Sequence, residues 1–172
     1  MTFKKVFSWI CCGMLVALLV VPGFAQGARG KAELKAGSGS ITVDYGRPSL
    51  KGRDMISQLA DGSFWRMGTN QATVLSTPVN LAFGTAKVAA GSYSLWLKKQ
   101  GGTYMLVFNS QTGQWGTQHD AGKDVNSAAM KQETLSSPVE SLTIELKEAP
   151  KGGDFIMSWG TTKLTVGFAI GK

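Results

Sequence analysis

Histidine occurs once, at His119, and cysteine twice, side by side at Cys11 and Cys12. Those two shortages remove most metal and thiol chemistry. No Cys/His set stands at zinc-ligand spacing, and no HExxH pair exists. A Ser-His-Asp arrangement is present in composition, through His119, Asp120 and many serines, but no Gly-x-Ser-x-Gly elbow accompanies it. Gly37-Ser38-Gly39 and Gly152-Gly153 are not phosphate loops, because neither opens a helix or carries the Lys-Ser/Thr that ends such a loop. Eleven acids leave room for a glycosidase-type carboxylate pair, yet nothing singles one out. A lone histidine in a polar loop reads as a surface residue. No catalytic residue, metal or cofactor is assigned.

Long apolar runs are missing too, except at the start. Lys4 and Lys5 precede an apolar stretch from Val6 to Val21, followed by Pro22-Gly23-Phe24-Ala25. A basic end, an apolar middle and small residues at Gly23 and Ala25 have the form of a secretory signal peptide over residues 1–25, cleaved after Ala25. An uncleaved anchor is the alternative, since 6–25 approaches the ~20 residues that span a bilayer. Pro22 and the small residues after it favour cleavage. A lipoprotein is excluded, because Cys11 and Cys12 come after almost no apolar run. The expectation is an exported protein, periplasmic or secreted, that meets the membrane only through its leader.

Cleavage removes both cysteines, so no disulfide or thiolate site remains and the core alone must hold the fold. It also removes two of the eighteen bases and none of the eleven acids, leaving a net charge of +5. That charge is scattered. It reads as a solubilising surface, with weak attraction to anionic envelope polymers or lipid head groups as the alternative. Nucleic acid is not an expected partner, because no basic run interleaves with aromatics.

What is present is β pattern. Ile41, Val43 and Tyr45 alternate with Thr42 and Asp44, and Arg47-Pro48 ends that strand. Further strands are predicted over 72–76, 79–83, 93–97, 103–109, 131–135, 141–147, 155–159 and 163–170. Gly101-Gly102 makes the clearest hairpin. A loop or helical turn is expected over 54–59, with Met55, Ile56 and Leu59 on one face, and an ordered loop over 117–127. Twenty glycines among the 147 residues after Ala25 are about twice the usual share. Many short strands with glycine-rich turns predict one all-β antiparallel domain, a β-sandwich or jelly roll, over residues 38–172 behind a short lead-in over 26–37.

The densest chemistry lies in Phe64-Trp65-Arg66-Met67-Gly68-Thr69-Asn70-Gln71-Ala72-Thr73. Extended, Phe64 and Trp65 point to opposite faces, one buried and one presented. Arg66 carries a planar fork suited to carboxylate or phosphate, Asn70 both donates and accepts, and Gly68 permits a close turn. The competing reading makes these residues structural, with Arg66 paired to an interior acid such as Asp44 and Asn70 stabilising its own turn. Trp115, between Gly113 and Gly116, is either a core plug, which is the expectation, or an aromatic platform of the kind sugar-binding sandwiches use.

Four blocks resemble the bacterial domain-of-unknown-function family 2911. They are Ile41 to Arg53, Trp65 to Thr73, Ala90 to Leu95 and Gln111 to Thr117. The resemblance implies an exported or envelope-associated compact β domain with no assigned activity. It covers the positions of Tyr45, Arg47, Gly52, Arg53, Trp65, Arg66, Gly68 and Asn70 without giving them roles. This chain departs from the family pattern at Met67, Thr69 and Gln71, and has no arginine just after Asp124.

The functional expectation is a non-enzymatic envelope binding module for a small or polymeric ligand, anionic or glycan. Its candidate site residues are Tyr45, Arg47, Arg53, Trp65, Arg66, Asn70 and Trp115. A structural or protein-interaction module is the alternative, and a hydrolase the third reading. Burial of Arg66 beside a carboxylate would favour the structural role; Arg66 at an open cleft would favour a site.

Overall fold

The computed structural model describes residues 28–171. The expected signal peptide and its cleavage point lie outside the described residues. Among the described residues, no helix is long and apolar enough to cross a membrane.

Ten antiparallel strands make one continuous sheet. In chain order they are β1 (Arg29–Ala36), β2 (Gly39–Gly46), β3 (Phe64–Trp65), β4 (Thr73–Thr77), β5 (Leu81–Phe83), β6 (Ala86–Val88), β7 (Gly91–Gln100), β8 (Thr103–Asn109), β9 (Asp124–Ala149) and β10 (Gly152–Ile170). Across the sheet the order is β1-β2-β4-β7-β8-β9-β10-β5-β6, with β3 on the edge of β7 beyond β4. The predicted Gly-Gly hairpin is present. Gln100 pairs with Thr103, and Gly101 and Gly102 both take positive φ, which suits a turn whose twist matches its strands.

The sheet folds over so that its two halves share one core. Ile41, Val43, Leu75, Leu95, Leu97, Leu106 and Phe108 come from one half, and Leu142, Ile144, Phe155, Met157 and Leu164 from the other. All are buried, at roughly 1.5–3 kcal/mol for each large apolar side chain. Contacts across the core fix the closure. The Tyr45 hydroxyl of β2 accepts from the Ile144 N–H of β9 at 3.0 Å. Gly153 of β10 lies under Leu34 of β1, where a Cβ would come within 2.7 Å of the leucine Cδ2.

Four expectations are corrected. The lead-in over 26–37 contains edge strand β1, held to β2 in unbroken register from Arg29↔Gly46 to Ala36↔Gly39. Strand β6 is an addition to the expected set; its three residues pair only with β5. The loop over 117–127 ends earlier than expected, because a 3₁₀ turn at Ala121–Lys123 leads into β9 at Asp124. Finally, the separate strands over 131–135 and 141–147 are one long β9, and those over 155–159 and 163–170 are one long β10. Their pairing shifts register between Ser158 and Thr162, with Gly160 at φ +58°. Pro138 sits within that irregular stretch, where a bulge relieves it of ladder bonding.

Candidate functional site

A pocket of about 170 Å³ lies between the segment after β2, the stretch from Trp65 to Thr69 and Trp159 of β10. Its first wall is the segment after β2. Leu50 donates its N–H to Glu140 O and Leu142 donates to Pro48 O, laying this segment along β9. Lys51 and Gly52 then both take positive φ, and the Arg53 N–H closes the turn on Leu50 O at 2.8 Å. Two consecutive left-handed residues define a type I′ turn, and it presents Arg53 at the pocket. Asp54 caps the next turn by accepting from the Ile56 and Ser57 N–H groups. Ile56 is fully buried while Met55 is 43% exposed, so the predicted common face for these two residues does not form. Tyr104 reaches the same turn, donating its hydroxyl to Ile56 O at 2.9 Å. Burial, and secondarily the charge of Asp54, pushes the Tyr104 phenol above its ordinary value.

The second wall is aromatic. Strand β3 turns Trp65 inward, where it stacks on Trp159 of β10 with ring centroids 5.5 Å apart and planes 7° apart. Phe64 faces the opposite side, as its alternation requires. Trp159 is buried and donates Nε1–H to Glu140 O at 3.3 Å, the carbonyl that also receives Leu50.

Arg66 completes the pocket. Its Nε–H donates to Gly68 O at 3.2 Å, and its stem lies across Gly116. The turn beyond it is clamped from three directions. A Cβ on Gly46 would overlap the Thr69 backbone, the buried Thr73 hydroxyl donates to Met67 O at 3.0 Å, and the Gly116 N–H donates to Asn70 O at 2.9 Å. Met67 and Asn70 both take positive φ. With Lys51, they are the non-glycine residues in left-handed backbone among those described, and each adjoins a pocket-lining residue in the chain. Such conformations cost an ordinary residue ~1–3 kcal/mol, less for asparagine, and cluster where a site is held in a fixed shape.

Neither Arg53 nor Arg66 has a carboxylate within ion-pair distance among the described residues. The expected partner Asp44 is taken instead by Arg29, which reaches it diagonally across the β1–β2 pair from the position opposite Gly46. Both arginines line the pocket with Trp65, Trp159, Leu50 and Met55. The lining includes no carboxylate, imidazole or thiol. Two unpaired cations beside an apolar wall can hold an anionic group attached to an apolar or amphipathic body.

The other candidates do not line this pocket. Tyr45 is buried, bonded across the core to Ile144. Arg47 donates through Nε to Leu142 O at 3.1 Å and ties β2 to β9. Asn70 acts through its backbone. Trp115, expected in the core, is 51% exposed, because the turn carrying it points away from both hydrophobic clusters. Pro48, Leu50, Met55 and Trp159 were not expected at the site; Trp159 comes from the far end of the chain, and no local pattern marks it.

His119 is not the free surface residue its loop suggests. Its ring lies between Phe64 and Trp96, with centroids 4.0 and 4.7 Å away, and its Nε2 sits 2.9 Å from Asp124 Oδ1. Among the described residues it has no serine hydroxyl partner, and no group of three His, Cys, Asp or Glu could hold a metal ion.

No curated protein and no solved structure significantly matches the chain. The family described as "Protein of unknown function (DUF2911)" matches residues 28–168, which include β1 to β9 and most of β10. The arginine pocket falls entirely inside that span, and the chain belongs to this family.

Proposed function

We propose that this protein is a non-enzymatic binding module of the cell envelope, reached through an N-terminal export signal, and that its pocket takes a ligand bearing a carboxylate or phosphate. The observation that carries the reading is the pairing of two arginines, both without an internal acid, with a stacked tryptophan wall in one pocket. An arginine used only to hold the fold would be expected to spend its fork on a carboxylate or several carbonyls. Arg66 spends one of its five donors on Gly68 O and has no other protein partner among the described residues. The clamped backbone around it supports the same view, since a preorganised site loses less entropy on binding.

The test is calorimetry and thermal melting of the purified protein with galacturonate, benzoate and inorganic phosphate. A saturable response to at least one of them is expected in the wild type. Arg53→Gln and Arg66→Gln should each lower that affinity by about tenfold or more, as loss of a charge-assisted contact implies. A wild type that responds to none of the three, or variants that bind as well as it does, would overturn the reading.

A further inference from the structure

The loop from Ser110 to Gln118 carries a combination not explained by the pocket alone. It contains no charged residue, and its single large apolar side chain is Trp115. Trp115 is half exposed and packs in neither hydrophobic cluster, yet its backbone is fixed on three sides. It bridges to Gln71, the Gly116 N–H donates to Asn70 O, and the Trp115 N–H donates to Gln118 Oε1 at 3.3 Å. A half-exposed tryptophan on a fixed backbone leaves a large apolar face uncovered, which is the informative kind of exposed residue. The next residue, Gly116, is the one on which the Arg66 stem rests. Trp115 therefore stands one residue along the chain from direct contact with the anion-binding arginine.

Its neighbours suggest what covers it. Gln111, Thr112, Thr117 and Gln118 are exposed amides and hydroxyls, each able to donate and accept. Within the loop there is no charge to meet a peptide's side chains and no second large apolar residue to meet an acyl chain. It suits a ligand that is hydroxyl-rich on its edges and apolar on its ring faces. We infer that the pocket and Trp115 form one extended site for an acidic oligosaccharide: a sugar carboxylate is held by Arg66 and Arg53, and an adjacent sugar ring lies on the Trp115 indole. This deepens the proposed function and rests on it. No bond is made or broken.

The test uses the purified protein with galacturonate oligomers from monomer to hexamer, with neutral chitin oligomers as the uncharged comparison. Affinity, read by calorimetry and by quenching of tryptophan fluorescence, should rise by about tenfold or more between monomer and tetramer in the wild type. Trp115→Ala should abolish that gain with length, with the monomer's Kd as the reference within each variant. Trp115→Phe should restore part of it, which a merely unfolded loop would not allow. A wild type that binds the monomer through Arg66 but gains nothing with length overturns this inference and leaves the arginine pocket standing. Equal gains in wild type and Trp115→Ala, or tighter binding of the neutral oligomers, also overturn it. Failure of every acidic probe on the wild type would remove the pocket reading as well.

Discussion

Arg66 lies across Gly116 so closely that a Cβ there would overlap the arginine Cδ and come within 2.7 Å of the Asn70 carbonyl oxygen. The glycine is a seat for the guanidinium stem, and its absence of a side chain sets where the cation points. Gly116→Ala should therefore cost about 1–3 kcal/mol in urea unfolding, the usual penalty for overpacking. It should also weaken anion binding, although Gly116 offers no group to the ligand. Anion affinity unchanged in a folded Gly116→Ala protein would show that the stem position does not matter.

The Trp65–Trp159 stack belongs to both the core and the pocket. Trp159 is buried, so Trp159→Ala should lose about 3–5 kcal/mol in chemical denaturation, as large aromatic deletions do. It also removes the donor to Glu140 O, the carbonyl that anchors Leu50. Trp65 is only partly buried and should cost less on truncation. The reverse ranking would mean that the wall is held from the β3 side.

Asn70 at φ +63° uses its backbone carbonyl to hold Gly116. The left-handed conformation costs an ordinary residue about 1 kcal/mol more than it costs glycine or asparagine. Asn70→Gly should thus be nearly neutral in thermal melting, while Asn70→Ala should be destabilised by roughly that amount. Equal losses for both would assign the effect to the amide side chain instead.

Local signals made the fold legible and left the site half legible. The alternation of Ile41, Val43 and Tyr45 places β2 correctly, and Gly101-Gly102 fixes the β7–β8 hairpin, because both are short-range patterns. The gaps expected at 136–140 and 160–162 close, since a bulge and a left-handed Gly160 let the strands continue through Pro138 and Gly160, residue types that usually interrupt them. At the site, Arg53, Trp65 and Arg66 were visible as residue types, and the structure joins them. Tyr45 and Arg47 stand near them in sequence but are spent on β9, a partner about a hundred residues away. Trp115 inverts its expectation for a related reason: whether a tryptophan between glycines is buried depends on which way its turn points, and that is settled by Asn70 and Gln71.

Acid sensitivity should arise away from the pocket. Glu133 of β9 sits between Lys131 on its own strand, 2.9 Å away, and Lys163 on β10, 3.0 Å away. The hydrogen bonds and charges of these lysines lower its carboxyl from an ordinary 4.5 to about 2. In this depressed range the unfolded chain binds more protons than the folded one, so the contribution to stability is present above the unfolded value and is lost as pH falls through the folded one. Thermal melting of the wild type should therefore decline from about pH 4.5 toward pH 2. In Glu133→Gln that decline should be shallower, with the two proteins separated at neutral pH and converging in acid. Because the cluster is partly open to solvent, raising the salt concentration should narrow the neutral-pH gap. Parallel melting profiles for the two proteins across that range would place the acid sensitivity in other carboxylates.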